Sequence, residues 1–548
     1  MSVPEILHEK ITLRRQERTN GIQLVQRQLR QTAAEIRAEI QGLTVAPLQK
    51  AAIARKYTAV EILHAYQENA EKAHAKTNCI TQFIVEAEDW ASQLDKAAGE
   101  LSNETLLSKM PLFAMPFSVK EELAIEGYDS TWGLAQAIGH PKRETNTMVR
   151  LLKSLGAVPF ARTNVPQLLA SGGCSNVIYG RTTNPHNARR TAGGSSGGDA
   201  TLVALDGAVF GVGSDIGGSV RIPAHFCAIA GYKPTQERFS QYNSIDEHQS
   251  HALVASTFGL QAKTAFTLAM VTKAVFDSIQ RLHSMDPFVA PIPWRPIMPG
   301  PLRIGWFASD HATPAVTVCQ RAVREVVERL EKNGHCLIEF HLPEMTRAHQ
   351  AASCASFLDN GEFAAKILAN DLWDPDEKWP YPLYGISREE RDKHLESFGP
   401  RIQEFFSGIL CENNNELRKA YEFMREYRKR VAKQWKESKL DALICPVMPT
   451  VAMPHGAVAE AWGVYTCVAV FNCLNFPAGV VTTTNVTEAD VEECSKSYPQ
   501  HDRWDLLMRQ ANATADAVGL PVAVQVATLP YQDELLLHVM SLIETEFT

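Results

Sequence analysis

Residues 191–235 read TAGGSSGGDATLVALDGAVFGVGSDIGGSVRIPAHFCAIAGYKPT. From Gly193 to Ser219, nine of 27 residues are glycine and four are serine. That density builds two tight turns, GGSSGG and DIGGS, because glycine accepts positive φ and lets another backbone come close. The intervening ATLVALDGAVFGVGSD reads as a helix and then a buried strand, a return path that brings the two turns together in space. Turns with several free N–H groups form anion-binding nests. A nucleophile placed beside such donors has an oxyanion hole.

Working outward, the same strand-like character recurs in short apolar runs at residues 111–119, 157–161, 302–307, 442–447 and 520–526. Amphipathic helical patterns separate them, as at residues 316–332. Strands alternating with helices predict an α/β fold: a large, mostly buried mixed β-sheet covered by helices on both faces. At the N-terminal end, Ile22, Val25, Leu29, Ala33, Ile36, Ile40 and Leu43 recur in steps of three and four. They predict one amphipathic helix, and residues 1–44 read as a helical arm packed on the body or on a second subunit. The body is expected over residues 45–548, with a charge-rich helical insertion or cap at about 370–435.

Composition narrows the functional classes. The 548 residues are 45% hydrophobic and 21% charged, ordinary globular values that exclude a disordered or collagenous chain. The net charge of −8 is spread out, and no basic stripe marks a nucleic-acid partner. No run approaches 18 apolar residues, so no transmembrane helix is expected, and the charged start MSVPEILHEK does not read as a signal peptide. Eleven scattered cysteines without a CxxC pair read as buried thiols of a cytoplasmic protein, not as a disulfide framework. His248 and His251 form an HxxH pair in a polar segment, but no HExxH occurs and neither metal nor cofactor is implied.

Three readings compete for the glycine-serine segment. A phosphate-binding loop would need GxxxxGK[ST], which is missing. A hydrolase nucleophile elbow formally fits GGSSG, yet that motif follows an apolar strand and NPHNARRTA is a polar loop. The third reading places both turns in one amide-cleaving site.

GGSSGG followed by SDIGGSVRIPAHFCAIAGYKPT closely resembles the core of the amidase signature family. FPAGVVTTTNVTEAD and VGLPVAVQVATLPYQDELLL are similar to the C-terminal region of its fatty-acid amide hydrolases. The resemblance implies a nucleophile at Ser219, a bridging serine with a cis peptide at Ser195, and a catalytic lysine at Lys120 in PFSVKEEL. It places the oxyanion-hole amides at Ile216, Gly217, Gly218 and Ser219. Leu168 and Leu169 are the candidate pocket lining. Asp215 and Arg221 read as an ion pair holding the nucleophile turn. In such a set the lysine must be neutral to take a proton, so its pKa has to fall from ~10.4 towards neutrality. Burial supplies that fall, and Glu121 or Glu122 opposes it wherever one of them faces the amine.

The expected activity is hydrolysis of a carboxylic amide, with a long-chain fatty-acid amide or N-acylethanolamine first and a small or aryl amide second. A non-catalytic scaffold is the reading from another class, and the intact Lys120, Ser195 and Ser219 set argues against it. The resemblance also implies a homodimer. Peripheral contact with intracellular membranes would fall to Phe405, Phe406, Ile409 and Leu410, because Arg388, Glu389, Glu390, Arg391, Asp392, Lys393 and His394 in the cap are costly to insert into lipid.

Overall fold

The computed structural model describes residues 2–242, 254, 256–310, 313–356, 359–376, 383, 385–409, 411 and 413–547. The apolar runs become strands of one sheet: β1 (Ile80–Phe83), β2 (Pro116–Lys120), β3 (Val158–Thr163), β4 (Phe210–Asp215), β5 (Ala230–Lys233), β6 (Thr257–Ala262), β7 (Arg303–Trp306), β8 (Cys336–Glu339), β9 (Ala442–Pro446), β10 (Ala478–Asn485) and β11 (Pro521–Ala527). Across the sheet they lie in the order β1-β3-β2-β4-β6-β5-β10-β11-β9-β7-β8. Parallel triplets, β3-β2-β4 and β9-β7-β8, flank an antiparallel centre. In β2, β3, β4, β6, β9 and β11 every residue is buried. Burial on both alternating faces requires helices above and below the sheet, the layered α/β arrangement that the apolar runs predict.

The N-terminal arm differs from the expected single helix. One helix spans Val3–Gln28, opened by the Ser2 N–H donating to the Glu5 carboxylate at 2.6 Å, and a second spans Ala34–Gln41. Between them Thr32 and Ala33 are extended. Two contacts hold the break: the Thr32 hydroxyl meets His64 Nδ1 at 2.8 Å, and the Arg37 guanidinium takes the freed carbonyls of Leu29 and Thr32. The apolar period continues across a bend because both helices rest on the same surface. Leu7 and Ile11 of the first helix pack with Ala135, Ile138, Ile178 and Tyr179 of the body. A buried Arg14–Asp129 ion pair fastens the same helix.

The cap also departs from expectation. Helices at Arg388–Leu395, Pro400–Ser407 and Asn414–Glu437 form it. Phe405, Phe406 and Ile409 do not present a docking patch to lipid; all three are buried. Phe405 stacks edge-on against Trp504 at 5.1 Å and Phe406 lies 6.0 Å from Trp462. Arg401 clamps the helix through Asp502 and Asp505 at 2.6 and 2.7 Å, turning its apolar face inward. Leu410 lies outside the described residues. No described helix is long and apolar enough to cross a membrane. Nine cysteines are free and all but Cys336 are buried, but Cys354 and Cys411 are joined as a disulfide, one departure from the thiol expectation.

Candidate active site

The site forms at the carboxyl ends of two neighbouring parallel strands, β2 and β4, where open α/β sheets place their ligands. Register pairs Val119 with Val212, so Lys120 at the end of β2 comes level with the last residues of β4. The Lys120 amine nitrogen is fully buried, 2.8 Å from Ser195 Oγ and 2.7 Å from Ser214 Oγ. Ser195 stands at the start of the GGSSGG turn, and the peptide Gly194–Ser195 is cis. Glu121 turns away and accepts the N–H groups of Thr131 and Trp132 at 2.7 and 3.0 Å. Glu122 faces the amine, its Oε1 3.5 Å from Lys120 Nζ. Below them Ser118 donates to Asp199 at 2.5 Å, and burial pushes the Asp199 carboxyl up to about 7.

β4 runs directly into the second turn. Asp215 closes the strand and accepts from the backbone N–H groups of Gly218 at 2.9 Å and Val220 at 3.2 Å. Arg221 grips the same carboxylate with Nε and Nη2 and donates its remaining hydrogens to Val468 O, Gln525 Oε1 and Asn472 Oδ1, so every donor is used. Burial alone would raise the Asp215 carboxyl, but Arg221 outweighs it and holds the group well below the usual carboxylate range. Ser196 N donates to Ser219 O at 3.0 Å, which locks the two turns edge to edge.

This scaffold changes the number of free amides on the turn. The Gly218 N–H is already engaged by Asp215, whereas the amides of Ile216, Gly217 and Ser219 have no acceptor among the described residues. Those three residues line a cavity, with Gly194 and Leu169 beside them. Its remaining walls are mostly apolar, including Ile222, Val254, Ala352 and Trp462. Leu168, the other expected lining residue, is buried in the main core instead. The arrangement brings together a serine on a donor-rich turn, a second serine hydrogen-bonded to a buried amine, and an apolar chamber. Those parts suit acyl transfer.

Residues 61–537 match the family model Amidase. The chain belongs to the Amidase family. It is 36% identical over 499 residues to Fatty acid amide hydrolase 1 of Caenorhabditis elegans, covering 90% of this chain and 86% of that one. It is 34% identical over 494 residues to Fatty-acid amide hydrolase 1 of Sus scrofa, covering 88% and 82%. The solved structure of a fatty acid amide hydrolase superposes with a TM-score of 0.81 at 23% identity, over 98% of this chain and 94% of that one. The protein is an amidase similar to fatty acid amide hydrolases.

In this amidase the structure brings Lys120 and Ser195 into direct contact and sets Ser219 on the adjoining turn. Sequence reading missed Ser214. It is one more buried strand serine in GVGSD, and only the β2–β4 register reveals that it shares the lysine. His248 and His251 lie outside the described residues.

Proposed function

We propose that this amidase hydrolyses long-chain fatty-acid amides through an acyl-Ser219 intermediate, with Ser195 as proton relay and Lys120 as base. Lys120 enters as the neutral amine. As Ser219 Oγ attacks the amide carbon, its proton passes to Ser195 Oγ while the Ser195 proton passes to Lys120 Nζ. The oxygen of the tetrahedral intermediate takes its negative charge against the free N–H groups of Ile216, Gly217 and Ser219. Collapse breaks the C–N bond, and the proton returns along the same path to the departing nitrogen. Water then attacks the ester by the same relay, freeing the acid and restoring Ser219.

The observation that carries this reading is the 2.8 Å contact between buried Lys120 Nζ and Ser195 Oγ, next to the turn that presents Ser219. The mostly apolar walls of the chamber support an acyl chain as its occupant. The test is amine or ammonia release from amides graded from acetamide to an eighteen-carbon primary amide and ethanolamide, with wild type beside Ser219→Ala. A rate that rises with chain length and vanishes in the variant supports the proposal. Turnover confined to short amides would discard the lipid assignment. A Ser219→Ala enzyme as active as wild type, or still labelled by a fluorophosphonate, would discard the mechanism.

A further inference from the structure

Just past the end of β2, one polar atom beside the reacting groups is unaccounted for. The Glu122 side chain is only 6% exposed, and its Oε1 has no hydrogen-bond partner. Buried polar atoms are nearly always satisfied, so an unsatisfied carboxylate oxygen 3.5 Å from the Lys120 amine nitrogen calls for a role. The other charged groups on the elements around that amine are engaged elsewhere. Glu121 accepts from the amides of Thr131 and Trp132, and Arg162 of β3 donates to the carbonyls of Glu121 and Asp129. Asp215 of β4 is held by Arg221. Asp199, on the helix Gly197–Ala204, accepts from Ser118, is raised by burial to about 7, and acts on Lys120 through its charge. Glu122 is the carboxylate that faces the amine directly.

Hydrogen accounting at Lys120 Nζ gives Glu122 its task. Ser214 Oγ lies at 2.7 Å, Ser195 Oγ at 2.8 Å and Glu122 Oε1 at 3.5 Å. A neutral amine has two N–H groups and one lone pair. To receive the Ser195 proton the lone pair must face Ser195, so the two hydrogens fall to Ser214 and Glu122. Either hydroxyl can donate or accept, whereas a carboxylate only accepts. Of the three oxygens, that of Glu122 alone draws an amine hydrogen in every arrangement. At 3.5 Å the contact is long for a hydrogen bond, and catalytic contacts of this kind tighten when substrate binds.

We propose that Glu122 is a positioning residue for Lys120: its carboxylate holds one amine hydrogen, turns the lone pair towards Ser195, and stabilises the ammonium that forms as the proton arrives. The inference rests on the reading of Lys120 as base and is independent of acyl-chain length. In the attack step the O–H bonds of Ser219 and Ser195 break, and new bonds to hydrogen form at Ser195 Oγ and Lys120 Nζ. Glu122 exchanges no proton and keeps its charge. It interacts more strongly with the cation developing in the transition state than with the neutral amine, and only such differential stabilisation raises a rate. The same carboxylate favours a resting ammonium, so it confines activity to higher pH.

The test measures fluorophosphonate labelling of Ser219, and kcat/KM for an eighteen-carbon primary amide, across pH in wild type, Glu122→Gln and Glu122→Asp. Glu122→Gln should lower the high-pH plateau of both rates about 100-fold and move the acid limb of both profiles about one pH unit lower. The sign follows from charge: without the carboxylate the ammonium loses its stabiliser, and the neutral amine persists to lower pH. Glu122→Asp keeps the charge farther from Nζ, and should leave the limb nearer its wild-type position while recovering part of the plateau. A merely structural role would scale the rates alike at every pH. A Glu122→Gln plateau within about threefold of wild type, or a limb that stays in place, overturns the inference. Should that variant not fold, a Glu122→Asp enzyme that matches wild type at every pH overturns it. Labelling of wild type without turnover of the long amide discards the long-chain reading, and the labelling profiles still decide on Glu122. Wild type that is not labelled overturns the Ser219 mechanism and this inference with it.

Discussion

Replacing Lys120 removes two functions at once, and the structure provides a way to separate them. In Lys120→Met the alkyl stem stays and the amine goes. Ser195 and Ser214 lose the hydrogen bonds it gave, and Glu122 Oε1, which has no hydrogen-bond partner, loses the amine 3.5 Å away. The Glu122 side chain is only 6% exposed, so water does not take over. Leaving a buried carboxyl without its partner costs about 3 kcal/mol. For 548 residues the entropy of unfolding is roughly 1.2 kcal/mol/K, so Tm should fall by about 2–3 °C. Loss of a positioned base should lower kcat/KM by about 10³-fold. The double variant Lys120→Met/Glu122→Gln replaces the stranded carboxyl with a neutral amide and should recover most of the Tm while recovering none of the activity. Differential scanning calorimetry and amide-hydrolysis rates on the same preparations read both quantities. Activity of the double variant within tenfold of wild type would refute the assignment of Lys120 as the proton acceptor.

Gly194→Ala should cost about 100-fold in kcat/KM. Its Cβ would lie 1.8 Å from Gly173 O and 2.6 Å from Ser171 O, both backbone, so the turn carrying Ser195 must move; fluorophosphonate labelling rates will show it. Asp199 gives a pH signature. Its folded carboxyl is raised from 3.8 to about 7, so the stability it contributes is complete below pH 4 and disappears as pH rises through 7, a span of roughly 4 kcal/mol. Asp199→Asn abolishes that dependence, so the Tm of the variant relative to wild type should rise by about 3 °C between pH 4 and pH 8. Arg14→Met strands the buried Asp129 carboxyl and should open the N-terminal arm, seen as faster amide hydrogen exchange across residues 3–28 with a Tm about 2–3 °C lower.

The sheet was legible because its strands are buried on both faces. A run such as ALICPV at residues 442–447 is apolar at nearly every position, with no solvent face to dilute the pattern, and it becomes β9. The arm was harder for a physical reason. A 3.6-residue period records which side chains face the body, and Val25, Leu29 and Ile40 do so on either side of the bend at Thr32. The bend is set by His64 and Arg37, whose contacts with Thr32 are tertiary, so periodicity alone cannot mark it. In the cap, charge density at residues 388–394 correctly suggests a solvated helix. The fate of Phe405 and Phe406 is decided by Trp504 and Trp462, each more than 50 residues away.

The candidate site divides along the same line. Lys120, Ser195 and Ser219 announce themselves because each sits in a distinctive local string, and glycine turns advertise their own geometry. What those strings leave out is hydrogen-bond accounting. DIGGS presents four consecutive amides, but Asp215, locked by Arg221, takes the Gly218 N–H, so the carboxylate that shapes the turn also reduces the donors facing the cavity to Ile216, Gly217 and Ser219. Ser214 is invisible for the complementary reason. A serine in a strand acquires meaning only from what the register and packing put beside it. The residues proposed for bond-making chemistry sit in tightly patterned strings, whereas a residue that shares the lysine, as Ser214 does, can sit in an ordinary one.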